Sequence, residues 1–491
     1  MKHAFLILSS FVIASLRSPL RSSTRFAVLA VSLCSALHSS FSAPPNVVLI
    51  LADDLGYGDL GCYGHPKFKT PRIDRMAAEG AKLTQFNCPA PFCAPTRASL
   101  MTGRYPFRCG MTSNPAPDGG PVADALHLPD GEITLAQVLK SAGYATGMIG
   151  KWHLGHHAGY LPTDRGFDEY FGIPYSNDMR PVQVLEGTKV AEYPVVQATL
   201  TQRYATRAVD FIQRNAKQPF FLYFAEAMPH KPLAASEENY KKSGAGLYGD
   251  VMMELDASVG RVLDAIKANG LDDNTLVIFS SDNGPWFGGS GGGLRGMKAA
   301  QWEGGYRVPM IARWPGKIPA GHVSGEIAIM MDLFATVLHV TGAKMPDERT
   351  LDGRNILPLL TSDAKSPHDY IFGHQNARLA NIRDARWKLH VLPAGGMRFK
   401  AGPDGRWPDP RAPDGVTIIA PFEQYNLEAF PGLSSGDEPA PMQLFDLQND
   451  PGEQHDVAAQ HPDEVKRLLA AYEAMNKDVP VVPDVKRVPK R

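Results

Sequence analysis

Apolar residues along the chain follow two alternating rhythms. Asn46 to Ala52 (NVVLILA) is an unbroken run rich in β-branched residues that stops at Asp53-Asp54, the pattern of a strand buried on both faces and ending at a polar edge. Three segments repeat it: Tyr144 to Ile149 leads into Gly150-Lys151-Trp152-His153, Phe220 to Ala225 runs towards His230, and Thr275 to Ser280 ends at Asp282-Asn283-Gly284. Between them Leu135 to Ser141, Gln202 to Asn215 and Tyr248 to Ala268 carry their apolar residues at helical spacing. Strand thus alternates with helix, which predicts an α/β fold: a large mixed, mostly parallel sheet flanked by helices, with ligands beyond the carboxyl ends of its strands.

The rhythm changes near Pro367. Tyr370 to Phe372, Ala377 to Ile382, Arg386 to Leu392 and Met442 to Leu447 read as short strands between turns, and Pro462 to Asn476 as one amphipathic helix. Residues 44–366 are therefore expected to form the main domain, and 367–491 a smaller subdomain with an antiparallel sheet. Ala394 to Ala440, rich in Pro, Gly and Asp, reads as a long loop.

Residues 1–43 read as a targeting segment. Two apolar runs, Ala4 to Leu16 and Phe26 to Leu37, follow basic residues, and each is too short to span a bilayer. Export to a periplasmic or extracellular location follows, with no stable membrane span. The chain lacks an N-x-S/T sequon, which points to a bacterial envelope rather than a eukaryotic secretory route. Lys plus Arg number 50 against 51 Asp plus Glu. Without the four basic residues of the leader the balance turns acidic, so nucleic acid is excluded as a partner and any anion recognition must be local. Of five cysteines, Cys34 lies in the leader. Cys62, Cys88, Cys93 and Cys109 match no zinc spacing. Export permits one disulfide among them, which leaves unpaired cysteines, one of them available for another purpose.

Asp53, Asp54, Asp282 and Asn283 offer hard oxygen donors from two strand ends, a set suited to calcium or magnesium and not to zinc. Cys93-Ala94-Pro95-Thr96-Arg97 runs on to Leu100-Met101-Thr102-Gly103. This string resembles the signature of the type I sulfatases of the alkaline phosphatase superfamily, in which the cysteine becomes formylglycine. Gly150 to Gly155 (GKWHLG) resembles the second family signature, and Gly172 to Asp178 resembles the arylsulfatase A branch. Pro229-His230-Lys231-Pro232, Arg295 to Lys298 with Glu303 to Pro309, and Leu444 to Leu447 with Asp450 to Glu453 extend the likeness over residues 46 to 460.

The resemblance implies an alkaline phosphatase-like fold and hydrolysis of sulfate monoesters: aryl sulfates in vitro and sulfated carbohydrates in nature. A maturation enzyme would convert Cys93 to formylglycine, whose hydrate attacks sulfur to give a covalent sulfo-enzyme. By the same resemblance Asp282 takes the attacking proton, and Lys151, Lys298 and His230 hold the sulfate oxygens. His230 or Lys298 protonates the leaving alcohol, His153 drives sulfate release, and Arg97 and Ser176 position the formylglycine. Two alternatives stand beside this. Formylglycine phosphodiesterases and phosphonate monoester hydrolases share the C-x-P-x-R string but usually carry Asp-His-Gly where this chain has Asp282-Asn283-Gly284, and the asparagine favours calcium and sulfate. The other is a non-catalytic sulfated-glycan-binding protein with an unoxidised Cys93.

Overall fold

Ten strands form the central sheet of the computed structural model: β1 (Asn46–Ala52), β2 (Ala81–Asn87), β3 (Ala145–Gly150), β4 (Glu169–Gly172), β5 (Val184–Glu186), β6 (Lys189–Glu192), β7 (Phe220–Ala225), β8 (Thr275–Ser281), β9 (Met310–Arg313) and β10 (His322–Ile329). Their spatial order is β10-β2-β9-β8-β1-β7-β3-β4-β5-β6. The central run β8-β1-β7-β3-β4 is parallel throughout, whereas β9 and the β5–β6 hairpin are antiparallel to their neighbours. The structure describes residues 44–395 apart from Phe68, Phe287, Pro346 and Glu348, together with 406–407, 420–421 and 436–480. The expected targeting segment 1–43 and most of the expected loop 394–440 lie outside the described residues.

The unbroken apolar runs have a direct cause. In β1, Val47, Leu49 and Leu51 enter one hydrophobic cluster while Val48, Ile50 and Ala52 enter another on the opposite face. β7 divides its residues in the same way: Phe221 and Tyr223 to the first cluster, Phe220, Leu222 and Phe224 to the second. A strand covered on both sides cannot alternate apolar with polar. Helices Leu200–Arg214 and Gly246–Ala268 cover the second face, and helix Leu135–Ser141 packs on the first. Full burial of each such phenylalanine contributes about 1.5–3 kcal/mol.

β11 (Ile371–Gln375), β12 (Arg378–Arg383), β13 (Trp387–His390) and a last strand, Gln443–Asp446, make the separate four-stranded antiparallel sheet. Helix Pro462–Asn476 falls where its amphipathic pattern placed it. Leu379, Ile382, Leu389, Leu444 and Leu468 share one apolar cluster with Tyr105, Phe107, Ile327 and Ile329, so this sheet is packed against the main body. The four described cysteines are all free thiols, and the permitted bridge does not form. Among the described residues no helix is long and apolar enough to cross a membrane.

Candidate active site

Register brings the candidate residues together. β3, β7, β1 and β8 are parallel neighbours, with Leu51 and Gly150 both level with Ala225 and Ala52 level with Ser281. Asp53-Asp54, Lys151, Glu226 and Asp282-Asn283 therefore leave the sheet side by side at its carboxyl edge. Asp54 turns there in the left-handed region (φ 64°), and its N–H donates to Asp282 Oδ1 at 3.2 Å. Asn283 Nδ2 donates to Asp54 Oδ1 at 2.8 Å.

Cys93 opens helix Cys93–Thr102, every residue of which is buried. Its thiol lies 3.4 Å from Asp53 Oδ1, 3.9 Å from Asp54 Oδ1 and 3.1 Å from Lys298 Nζ. The positive end of the helix dipole thus meets the cluster where an anion would be held. Lys151 Nζ donates to Asp53 Oδ2 at 2.6 Å and to Ser176 Oγ at 3.2 Å, and Lys298 Nζ donates to Asp54 Oδ1 at 2.6 Å. Lys298 follows the glycine-rich stretch 288–293 and is only 8% exposed. Its N–H donates to Pro285 O, and that of Ala299 donates to Pro91 O, two residues before Cys93.

Arg97 and Ser176 reach the cluster through its other members rather than through Cys93. Arg97 donates from Nε to Asp282 Oδ2 at 2.9 Å and from Nη1 to Lys151 O at 2.8 Å. Ser176 Oγ stands between Lys151 Nζ and His230 Nε2, 3.4 Å from the latter. His230 lies with its Nε2 3.5 Å from Asp54 Oδ2, and its Nδ1 donates to Lys231 O at 2.6 Å. His153 sits just past the end of β3 in the left-handed region, with φ 64°. Its Nε2 meets Pro115 O at 3.0 Å. A carbonyl only accepts, so Nε2 carries the proton and Nδ1, buried and unpartnered, holds a free lone pair. The Pro115 carbonyl and the Asn114 side chain, which accepts from Ala94 N at 3.0 Å, were not anticipated: a main-chain oxygen leaves no mark in sequence, and a single loop asparagine carries no pattern.

Burial dominates the electrostatics. It pushes Asp53 up to about 7 against the pull of Lys151, and raises Asp54 despite Lys298. At Asp282 burial is outweighed by Arg97, Lys151 and Lys298, which hold it below the usual carboxylate range. Burial lifts the Cys93 thiol well above its ordinary value, with Asp282 adding to the effect. Burial also drives both histidines well below 6.5, aided by Lys151 at His153 and by Lys298 at His230. Both imidazoles are therefore neutral at pH 7.

Three carboxylates here face three fixed cations, and two of the carboxylates still resist ionisation. Asp54 Oδ2 and Asn283 Oδ1 are buried without a hydrogen-bond partner. A divalent cation would satisfy both orphaned oxygens and leave a net positive site. Asp53, Asp54, Cys93 and His230 also offer ligand atoms within 4.8 Å of one another, a mixed set that would suit zinc. The orphaned oxygens favour an oxygen-bound ion instead.

Glu226, beside these groups, is buried with Oε1 accepting from Ser258 Oγ at 2.6 Å and Oε2 unpartnered. Burial raises its pKa to about 8, with Ser258 opposing and Glu254 adding. The folded state keeps a proton that the unfolded chain gives up, so stability present below the ordinary glutamate pKa is lost as pH climbs to about 8. Glu226→Gln should match the wild type near pH 4 and exceed it at pH 7 by on the order of 3 kcal/mol. Denaturant titrations at the two pH values check this, and a gap that does not grow with pH would sink it.

A family model described as Sulfatase matches residues 45–343, and one described as N-sulphoglucosamine sulphohydrolase, C-terminal, matches residues 297–392. Human arylsulfatase A is 38% identical over 440 residues, covering 82% of this chain and 84% of that protein. Human N-acetylgalactosamine-6-sulfatase is 42% identical over 343 residues, 65% of this chain and 66% of that protein. Among solved structures, the PsFucS1 sulfatase from Pseudoalteromonas sp. aligns with a TM-score of 0.73 at 26% identity, covering 93% and 95% of the two chains. Ps i-CgsB in complex with k-i-k-neocarrahexaose aligns at 0.71 and 29%, covering 89% and 94%.

Proposed function

The chain belongs to the sulfatase family of the alkaline phosphatase superfamily and is a sulfuric ester hydrolase, and from that premise we propose that it desulfates carbohydrates through an oxidised Cys93 with calcium bound beside it. The observation that carries this reading is the position of Cys93 at a helix start among Asp53, Asp54 and Lys298. A thiol held neutral by burial is a poor nucleophile. A formylglycine hydrate at the same place offers a hydroxyl to sulfur and carries the sulfate as an ester once the alcohol leaves. The oxidation is assigned to a separate formylglycine-generating enzyme during export. The sugar class is argued from relatives: several are N-acetylgalactosamine-6-sulfatases, and one solved neighbour holds a neocarrahexaose.

Asp53, Asp54, Asp282 and Asn283 would hold the ion, whose chemistry is to polarise a sulfate oxygen and to lower the pKa of the attacking hydroxyl. Asp282, kept ionised by Arg97, accepts the attacking proton. Lys151 and Lys298 place two ammonium groups, and His230 an imidazole, around the sulfate oxygens. Lys298 is held well above 10.5, burial being outweighed by Asp54, which makes it a weak acid. His230 is neutral in the free site; it takes a proton from solvent at Nε2 as the sulfate anion binds beside it, then gives that proton to the departing alcohol. His153, with Nδ1 free, takes the proton whose loss expels sulfate. Arg97 and Ser176 brace Asp282, Lys151 and His230 from behind.

Sulfate release from sulfated oligosaccharides, nitrophenyl sulfate and a phosphonate monoester tests the reading. Turnover of sulfate esters ahead of the phosphonate is expected, and preference for the phosphonate would overturn it. Stripping the ion by chelator dialysis, with removal verified by elemental analysis, should cost at least ~10²-fold in kcat/KM, by analogy with other groups that stabilise the developing charge. Calcium should restore the activity and zinc should not. Rescue by zinc alone would reassign the ligands to Cys93 and His230.

A further inference from the structure

Lys298 lies on a loop closed at its neck, where Gly304 N donates to Arg295 O at 2.7 Å. One residue from the C-terminal subdomain grips both ends of that loop. Glu453 O accepts from Arg295 Nη1 at 2.9 Å, and the Glu453 carboxylate accepts a short hydrogen bond from Glu303 N. Glu453 adopts φ 51°, a conformation rare outside glycine that persists only where surrounding contacts enforce it.

The grip is anchored in a buried ionic network. Glu303 Oε2 accepts from Arg307 Nε at 2.8 Å and from Arg383 Nη1 at 2.6 Å. Lys388 Nζ lies 3.1 Å from both Glu303 Oε1 and Glu453 Oε1 and donates to Gln301 O at 3.1 Å. His390 Nε2 meets Glu453 Oε1 at 2.7 Å. Arg383 belongs to β12, and Lys388 and His390 to β13. The small sheet thus fixes the loop through charges that cannot be unpaired singly without leaving others buried and uncompensated.

We propose that Glu453 is a positioning residue for Lys298, clasping the loop so that its ammonium stays at the sulfate site. The proposal rests on the reading of Lys298 as a sulfate ligand. It assigns the C-terminal subdomain a share in turnover that its distance along the chain conceals.

A double-mutant cycle distinguishes positioning from general support of the fold. Glu453→Gln keeps an acceptor for Glu303 N but loses the charge that Lys388 and His390 hold. Among correctly folded molecules, counted by active-site titration, it should lower kcat/KM by about 10–100-fold, the range for residues that orient a catalytic group. In a Lys298→Ala background the same change should cost less than about 2-fold, while in a Lys151→Ala background it should cost its full factor. If Glu453→Gln fails to fold, Arg295→Met cuts the contact at the loop's other end and enters the same cycle. Losses that multiply fully onto Lys298→Ala overturn the clasp while leaving the sulfate reading intact. A fully active Lys298→Ala overturns both.

Discussion

Cys93→Ala is expected to lose kcat/KM on the order of 10⁴–10⁶-fold, as when the nucleophile of a concerted catalytic set is removed, and to fold like the wild type. The loss follows from chemistry. On the proposed mechanism, removing the side chain leaves Asp282, His153 and the cation that would share their site without a hydroxyl to act on. The intact fold follows from packing: helix Cys93–Thr102 contributes Ala94, Ala98, Leu100 and Met101 to the apolar cluster beneath it, but not Cys93. The measurement pairs steady-state turnover with a thermal melt. A Cys93→Ala enzyme within 10²-fold of wild type, a loss no larger than that of one oxyanion donor, would remove the residue from the mechanism. A collapsed melting transition would show that the thiol is structural.

Lys151 and His230 should separate by leaving group. As a proposed sulfate ligand, the Lys151 ammonium would stabilise sulfate oxygens whatever departs, so Lys151→Ala should lower kcat/KM for nitrophenyl sulfate and for a sulfated sugar alike, by ~10²–10³ each. His230 as leaving-group acid matters little to a nitrophenolate and greatly to a sugar alkoxide. His230→Ala should therefore spare the aryl ester by at least ~10-fold relative to the sugar. Equal losses on both substrates would transfer the acid role to Lys298 and leave His230 as a sulfate ligand.

What the sequence made legible follows from how each segment is buried. β1, β3, β7 and β8 are visible because both faces are covered, and their polar ends are visible because the apolar run breaks at once into Asp, Lys or Asn. β2 reads AKLTQFN and is only partly buried, so its apolar signal is too weak for a core strand. β4, β5, β6 and β9 span four residues or fewer, too short for any period to register. The convergence of Asp53, Asp282 and Lys151 required knowing that their strands are neighbours, which periodicity alone cannot supply. The burial of Lys298 has no local apolar signal, since the segment is held by main-chain bonds from Lys298 to Pro285 and from Ala299 to Pro91. The Glu303–Glu453 contact joins residues 150 apart in sequence, and nothing in either local pattern announces it.

The state of Cys93 in purified, active enzyme decides the central claim. Mass spectrometry of the peptide carrying Cys93-Ala94-Pro95-Thr96-Arg97 should show a residue lighter by the difference between a thiol-bearing methylene and an aldehyde, together with a hydrazone adduct after hydrazide treatment. The aldehyde fraction should rise in proportion to specific activity across preparations made with and without the maturation enzyme. Full sulfatase activity from protein whose Cys93 peptide carries only the thiol mass would contradict the account.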